Sequence, residues 1–500
     1  MNLTRRKFAK GGLASLGFLA LPGTPMFAAP PGWKPKKKPN LVFGILSDTH
    51  LQSGWDGVTP HGGFPLTYVT NAMKLFRERN IDAFMHLGDA AHRGKNVEAQ
   101  YHRDIFDKFF PNGRGKDGHT VEKLLVVGNH ELYGNAAAGA GAWAPHIWKD
   151  PVERAKHVLC GDLPRHWESV WGEKYEPVWH KEVKGYHFFG RHWETDEMKL
   201  AEFVNDKADE YSLKGTKPFF ILSHGRHHFQ CNNALRAFPN AVAFFGHWHQ
   251  SNADYKTIYY DSFGGFFPNI QVGACRMDGS NALDGNERVT KGDGVRESVV
   301  PDGKAWQECK NPSRQAMIVN VYDDMVVFER HEVGKGGKIG PDWVMPLGQY
   351  KPHPFKRDEL AKAIGAPEFP KGAKVAVASA MSRVALKENG ELVVYRDKDV
   401  KNVPAIPVMR VTIPPADGNP ISRPYAYDVV VVGDDLKDRL FKHIYWPGCN
   451  LGVGHEPDGG VTTLDILKSE LPAGKKLTVA VRPVSSLGTK GKSIATAFRV

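Results

Sequence analysis

The chain has 500 residues, of which 41% are hydrophobic and 24% charged, with a formal net charge of +11 at pH 7. This length fits two or three domains, and the apolar fraction excludes an intrinsically disordered chain. The basic balance favours anionic substrates or surfaces without naming one.

At the start, Thr4-Arg5-Arg6-Lys7-Phe8-Ala9-Lys10 precedes an apolar run, Leu13 to Leu21, too short to span a bilayer as a stable helix. It reads as a signal peptide over residues 1–29, cleaved after Ala28 or Ala29. The segment resembles a twin-arginine signal, Ser/Thr-Arg-Arg-x-Phe-Leu-Lys, with Ala9 departing at the Leu position. An ordinary secretory signal with paired arginines is the alternative. The resemblance implies recognition by twin-arginine export machinery, passage in the folded state, and a bacterial periplasmic or extracellular location. Loss of Arg5, Arg6, Lys7 and Lys10 lowers the formal charge by four, to +7. Residues 30–39, with Lys34-Pro35-Lys36-Lys37-Lys38-Pro39, form a stiff basic linker that is either solvated or held near an anionic membrane surface. No later stretch has the apolar length of a transmembrane helix, so the mature chain is expected to be soluble.

Leu41 to Leu46 is a continuous apolar run of the kind expected for a strand buried on both faces, and it ends in Ser47-Asp48-Thr49-His50. Helical spacing of Leu66, Val69, Ala72, Met73 and Phe76 predicts a helix over Pro65 to Arg79. Ile81 to Leu87 reads as a second strand ending at Gly88-Asp89, followed by a helix over Val97 to Phe110. Lys123 to Val127 is a third strand, closing with Gly128-Asn129-His130-Glu131. The passage from Leu132 to Val178, rich in Trp, His, Pro and Gly, reads as an irregular insertion facing substrate. Tyr186 to Phe189 is a further strand, and Thr195 or Asp196 would cap a helix over Glu197 to Tyr211. Phe219 to Leu222 ends in Ser223-His224, and the run Ala243-Phe244-Phe245 ends in Gly246-His247-Trp248-His249. Residues i and i+2 of an extended segment project to one side about 7 Å apart, and bimetallic sites hold their ions about 3.5–4 Å apart. Each histidine of the last pair could thus serve its own ion.

Loops at the carboxyl ends of strands gather into one crevice in open α/β sheets. The set collected there is Asp48, His50, Asp89, Asn129, His224, His247 and His249. Its oxygen and nitrogen donors suit borderline divalent metals (Mn, Fe, Zn, Ni or Co), and the absence of thiolate argues against a purely structural zinc site. Seven ligands with one shared carboxylate fill two four-ligand sites.

The order Asp48-x-His50, Gly88-Asp89, Gly128-Asn129-His130-Glu131, His224, Gly246-His247-x-His249 resembles the signature blocks of the calcineurin-like metallophosphoesterase superfamily, over about residues 40–345. The resemblance implies a four-layer α/β/β/α sandwich and a dinuclear centre. Asp48, His50 and His249 would bind one metal, Asn129, His224 and His247 the other, and Asp89 would bridge. A hydroxide held between the ions would attack phosphorus in line. His130 matches the family histidine that stabilises the transition state or protonates the leaving oxygen. Glu131 would orient His130 or be a plain surface carboxylate. Two departures matter. His92 stands where the purple acid phosphatase branch has a metal-bound Tyr, so no purple ferric centre is expected. Arg93-Gly94 matches the protein Ser/Thr phosphatase branch, in which the Arg faces the substrate phosphate; a structural surface role is the alternative. Arg226 is a candidate to hold an anionic group. His86 reads as a satisfied core or rim residue, and His61, His227 and His228 crowd the same loops.

Met317 to Val321 and Met325 to Arg330 form a predicted β-hairpin, and the domain over 40–350 is expected to end near the Pro-rich stretch Pro352 to Pro354. Residues 370–500 carry short strand-like segments, among them Lys374 to Ala378, Leu392 to Tyr395, Val408 to Ile413, Tyr427 to Val432 and Leu477 to Val481. They resemble a fibronectin or immunoglobulin-like β-sandwich, whose role is shielding the catalytic domain or attaching to a glycan or surface. The five cysteines, Cys160, Cys231, Cys275, Cys309 and Cys449, form no Cys-x-x-Cys pair, and the odd count leaves at least one thiol unpaired. Basic residues are scattered, so nucleic acid is not specifically indicated as a partner. The expected function is hydrolysis of phosphate esters, diesters favoured. The alternatives are a phosphomonoesterase or a non-catalytic surface- or glycan-binding protein that keeps the fold.

Overall fold

The computed structural model describes residues 27–28, 33–53, 64–132, 149–249, 252, 257–259, 267–275, 314–334, 336–347, 361–362, 364–382, 385–386, 392–393, 405–419, 422, 424, 426–433, 440–445, 462–485 and 487–500. The twin-arginine motif, His61, Cys309 and Cys449 lie outside these residues.

Two mixed sheets carry the ligand candidates. In spatial order the first is β1 (Phe27–Ala28), β13 (Trp343–Pro346), β12 (Met325–Glu332), β11 (Gln315–Val321), β2 (Leu41–Leu46), β3 (Ala83–His86) and β4 (Glu122–Leu125). The second is β5 (Val178–Val183), β6 (Tyr186–Arg191), β7 (Phe219–Leu222), β8 (Ala241–Phe245), β10 (Asn269–Gln271) and β9 (Ile258–Tyr259). Strands β2, β3 and β4 are parallel, as are β6, β7, β8 and β10, while the hairpins β11–β12 and β5–β6 are antiparallel. Parallel neighbours point their carboxyl ends the same way, which gathers the turns after β2, β3 and β4 at one end of the first sheet and those after β7 and β8 at one end of the second.

The apolar runs are unbroken because both faces of each sheet are covered. Between the sheets, the Phe43 ring lies 5.4 Å from Phe188 and 5.0 Å from Phe220, edge-on in both cases, within a buried cluster that also holds Phe244, Phe328 and Trp343. The outward face of the first sheet packs on α1 (Phe64–Arg79) and α2 (Asn96–Phe109) through Val69, Met73, Phe76, Phe84 and Phe106. The passage after Leu132 departs from the expected irregular, substrate-facing loop. It contains α3 (Pro151–His157) and α4 (Leu163–Trp171), capped by Asp150 and Asp162. Leu163, Trp167, Val170 and Trp171 recur at i, i+4, i+7 and i+8, and this stripe packs on the α1–α2 core. Behind the second sheet, α5 (Glu197–Asp206), capped by Asp196, covers Phe189 and Ile221 with Leu200 and Val204, beside α6 (Phe229–Ala234).

Towards the C-terminus come β14 (Ala376–Ser382), β15 (Ala385–Leu386), β16 (Leu392–Val393), β17 (Ile406–Ile413), β18 (Ala426–Val432), β19 (Leu440–Tyr445), β20 (Thr462–Leu467), β21 (Lys476–Val484) and β22 (Ile494–Arg499). An antiparallel sheet β14-β17-β20 and another, β19-β18-β21-β22, share one core. Alternate residues Met409, Val411 and Ile413 of the first meet Tyr427, Val429 and Val431 of the second there. The region is tied to the segment before it, since Asn419 Nδ2 donates to the carbonyl of Ala366 (2.9 Å) and Thr489 Oγ1 to that of Gly365 (3.1 Å). Ile364 belongs to the core between the two catalytic-side sheets, and Leu487 packs against it.

Candidate metal centre

The strand ends turn sharply. Asp48, His50, Asp89, His247 and His249 all have positive φ, between 45° and 70°, and make up five of the nine such non-glycine residues among the described residues. Side chains with a Cβ rarely take this conformation, so backbone strain is concentrated where the candidate ligands sit. Neighbouring glycines leave room for them. A Cβ on Gly88 would lie 2.7 Å from both Gly128 Cα and His224 Nδ1, and one on Gly246 would lie 2.6 Å from Asp48 Oδ2.

The fold brings all seven candidates together. Donor atoms of Asp48, His50, Asp89 and His249 lie within 4.8 Å of one another, as do those of Asp89, His224 and His247. In the first group His50 Nε2 is 3.2 Å from His249 Nε2 and 3.7 Å from Asp89 Oδ2, and His249 Nε2 is 3.1 Å from Asp48 Oδ1. Asn129 joins the second, its Oδ1 3.0 Å from both His224 Nε2 and His247 Nδ1, with His224 Nε2 3.2 Å from Asp89 Oδ2. Asp89 is common to both groups.

Neighbouring bonds orient these rings. His224 Nδ1–H donates to the carbonyl of Leu87 at 2.6 Å, directing Nε2 inward. His50 Nδ1 faces His92 Nδ1 at 3.4 Å. Asp48 accepts from Ser47 Oγ–H at 2.5 Å and from the His247 amide. Burial alone would raise both aspartates. His249, His224 and Ser47 hold Asp48 well below the usual carboxylate range, and His224 and His130 lower Asp89. Against its own burial, His224 is raised to about 9 by Asp89, while burial and the His224 charge push His247 down to about 4. Buried carboxylates facing converging imidazoles, with no thiolate, are a donor set for borderline divalent cations.

His130 sits at the edge of this cluster. Its amide donates to Asp89 Oδ1 at 2.8 Å, its Nδ1–H donates to the carbonyl of His92 at 2.7 Å, and Nε2 lies 3.9 Å from Asp89 Oδ2. Glu131 does not orient it. The buried Glu131 carboxylate instead accepts from the amides of Asp89 (2.9 Å), Ala91 (2.8 Å) and Gly128 (2.6 Å), binding the Gly88-Asp89 and Gly128-Asn129 turns together. The expectation failed because it looked at the adjacent side chain, whereas a buried carboxylate beside two tight turns meets their backbone N–H groups first. His86 is a buried, satisfied residue, accepting from the Gly88 amide and bonded to Thr49 Oγ1. Arg226 stacks over Trp248 at 4.9 Å, whereas Arg93 is half-buried with its amide bonded to Glu98. Trp193, which no motif marks, lies 4.9 Å from the His247 ring and 5.5 Å from that of His224. Only its place just past the end of a strand could have pointed to it.

Residues 41–251 match the calcineurin-like phosphoesterase family. The matched region holds all seven candidate ligands. The chain is therefore a hydrolase acting on phosphoric ester bonds, and its cofactors are two divalent metal ions, which the two donor groups sharing Asp89 fit. No curated protein matches this chain. Among solved structures it is similar to a dimetal phosphatase from Danio rerio, at 13% identity over 62% of this chain and 100% of that one, with a TM-score of 0.34. It is also similar to the purple acid phosphatase PPD1 of yellow lupin (15% identity, 61% of this chain, 53% of that one, TM-score 0.34) and to Vps29 of Entamoeba histolytica with zinc (8%, 61%, 99%, 0.25).

Proposed function

We propose that the phosphoesterase domain is an exported phosphodiesterase in which Asp48, His50 and His249 hold one divalent ion, Asn129, His224 and His247 hold the other, and Asp89 serves both. The observation that carries this reading is the convergence of seven side chains from five strand ends into two donor groups with one carboxylate in common. When bound, the ions supply Lewis-acid chemistry, lowering the pKa of water and offsetting charge on the phosphoryl oxygens. His130, held by Asp89 and the His92 carbonyl, gives a proton to the leaving oxygen. Arg226 and Arg93 bind the non-bridging oxygens. The rings of His92, His130 and Trp193 suit a substituent on phosphorus, and a diester monoanion needs fewer cations beyond the ions than a monoester dianion.

The same reading places residues 40–350 in a four-layer α/β/β/α catalytic domain, with helices outside both sheets, and 370–500 in a β-sandwich. It keeps a twin-arginine signal over 1–29 and a periplasmic or extracellular destination. Cleavage after Ala28 or Ala29 would remove β1 and leave β13 as the edge of its sheet. Hydrolysis of bis-p-nitrophenyl phosphate beside p-nitrophenyl phosphate, by metal-stripped protein reloaded with Mn, Fe, Co, Ni or Zn, tests the assignment. Metal-dependent turnover faster on the diester and lost in Asp89→Ala is expected. Faster monoester turnover would transfer the reading to a phosphomonoesterase, and none with two ions bound would favour a binding protein.

A further inference from the structure

A second set of donor atoms gathers where α5 and α6 begin. Glu197 lies in the first turn of α5, His227 and His228 close the loop that follows β7, and Cys231 is in α6. Cys231 Sγ is 3.7 Å from His227 Nδ1, which is 4.0 Å from Glu197 Oε2, and that oxygen is 3.2 Å from His228 Nδ1. The donor atoms of Glu197, His227 and Cys231 lie within 4.8 Å of one another. Tetrahedral ligands around an ion, with nitrogen and oxygen about 2.0–2.2 Å and sulfur about 2.3 Å away, are roughly 3.3–3.8 Å apart. The Cys231–His227 spacing lies within that range and the His227–Glu197 spacing just beyond it.

We propose that Glu197, His227 and Cys231 form a third, mononuclear metal site that takes a thiophilic divalent cation of the zinc type, with His228, bonded to Glu197, at its open side. Thiolate, imidazole and carboxylate together select such an ion, whereas the dinuclear centre offers no sulfur. His227 is already turned for the task. Its Nε2 lies 3.2 Å from Ser223 Oγ, the outer bond that a ligating imidazole needs, and its Nδ1 faces Cys231. His227 and Cys231 are buried and His228 is exposed, so the site is closed towards the core and open for loading. Burial, then the Glu197 charge, pushes the Cys231 thiol up to about 12. Binding therefore forms the sulfur–metal bond as the thiol proton passes to water. Arg191, close enough for its charge to act on both Cys231 and His227, offsets the two anionic ligands. The ion would tie the start of α5 to the loop that carries His224, three residues before His227, and so act as a structural brace. This inference is independent of the assignment of the dinuclear centre.

Metal-stripped full-length protein titrated with Co(II) tests it, because a thiolate–cobalt bond gives a near-ultraviolet charge-transfer band that nitrogen and oxygen ligands do not. The band should saturate with one equivalent of cobalt bound to sulfur, and the zinc-loaded protein should contain three ions. Cys231→Ser should abolish the band and Cys160→Ser should leave it. Should Cys231→Ser not fold, Glu197→Gln, a change at a partly exposed residue, decides the matter by an expected loss of about tenfold or more in cobalt affinity for the band. Two bound equivalents without a thiolate band would overturn the third site and leave the dinuclear reading standing. A band that survives Cys231→Ser, or unchanged affinity in Glu197→Gln, would also overturn it.

Discussion

Glu131 shows how much a single side chain outside the ligand set can carry. Three backbone amides from two ligand-bearing turns end on its carboxylate. In Glu131→Gln one oxygen becomes an NH2 group that must face an N–H donor, and a buried donor left unsatisfied costs about 1–3 kcal/mol. We expect a lower melting temperature together with weaker metal retention, read by thermal unfolding and metal analysis of the same preparation; an unchanged melting temperature would remove Glu131 from this role. His130 should behave in the opposite way. His130→Asn keeps the ligands, so metal content should hold while kcat falls by about 10²–10⁴, the usual worth of a positioned acid or base. Equal losses of metal and activity would make it a structural residue.

At the scale of elements, the strands that end in candidate ligands were legible because each is an apolar run broken by a polar residue. Leu41–Leu46 and Phe219–Leu222 coincide with the runs read from sequence, and β3, β4 and β8 differ only at their ends. Strand β5 was missed because Val178–Val183 interleaves apolar with charged residues, pairing only with β6 at the edge of its sheet. Helices α3 and α4 were hidden by the abundance of Trp, His and Pro, residues that read as loop until their i, i+4 spacing is counted. Helix α2 carries a pH dependence. Its His102 is buried against the rings of Phe84 (5.7 Å), His86 (4.6 Å) and Trp171 (5.7 Å), and burial pushes the imidazole down to about 3, from an ordinary value of 6.5. The folded value lies below the unfolded one, so this contribution is complete above pH 6.5 and is lost as pH falls toward 3. The loss is about 1.4 kcal/mol per pH unit within that window. Urea unfolding at pH 7 and pH 5 should show a smaller acid-side loss in His102→Leu than in the parent; identical losses would contradict it.

For the whole molecule, the C-terminal sheets were legible as alternation but not their attachment, which rests on Ile364, Leu487 and hydrogen bonds to the carbonyls of Gly365 and Ala366. These contacts join residues far apart in the chain, and no local pattern records them. A chain ending near Pro354 keeps every candidate ligand but loses Ile364 and Leu487 from the core between the sheets. It should hydrolyse soluble esters at the parent rate and denature at lower urea. A rate lost at full metal occupancy would instead assign the tail to the active site.

The carboxylate common to both donor groups makes each ion an effector of the other. Whatever charge the first draws from Asp89 is withheld from the second, so occupancy of either site weakens the other by the same factor, as thermodynamic reciprocity requires. A calorimetric titration of the stripped protein should therefore resolve two unequal affinities. At one equivalent of metal, half-loaded molecules would outnumber both the empty and the full, and hydrolysis would rise with the square of free metal before it became linear.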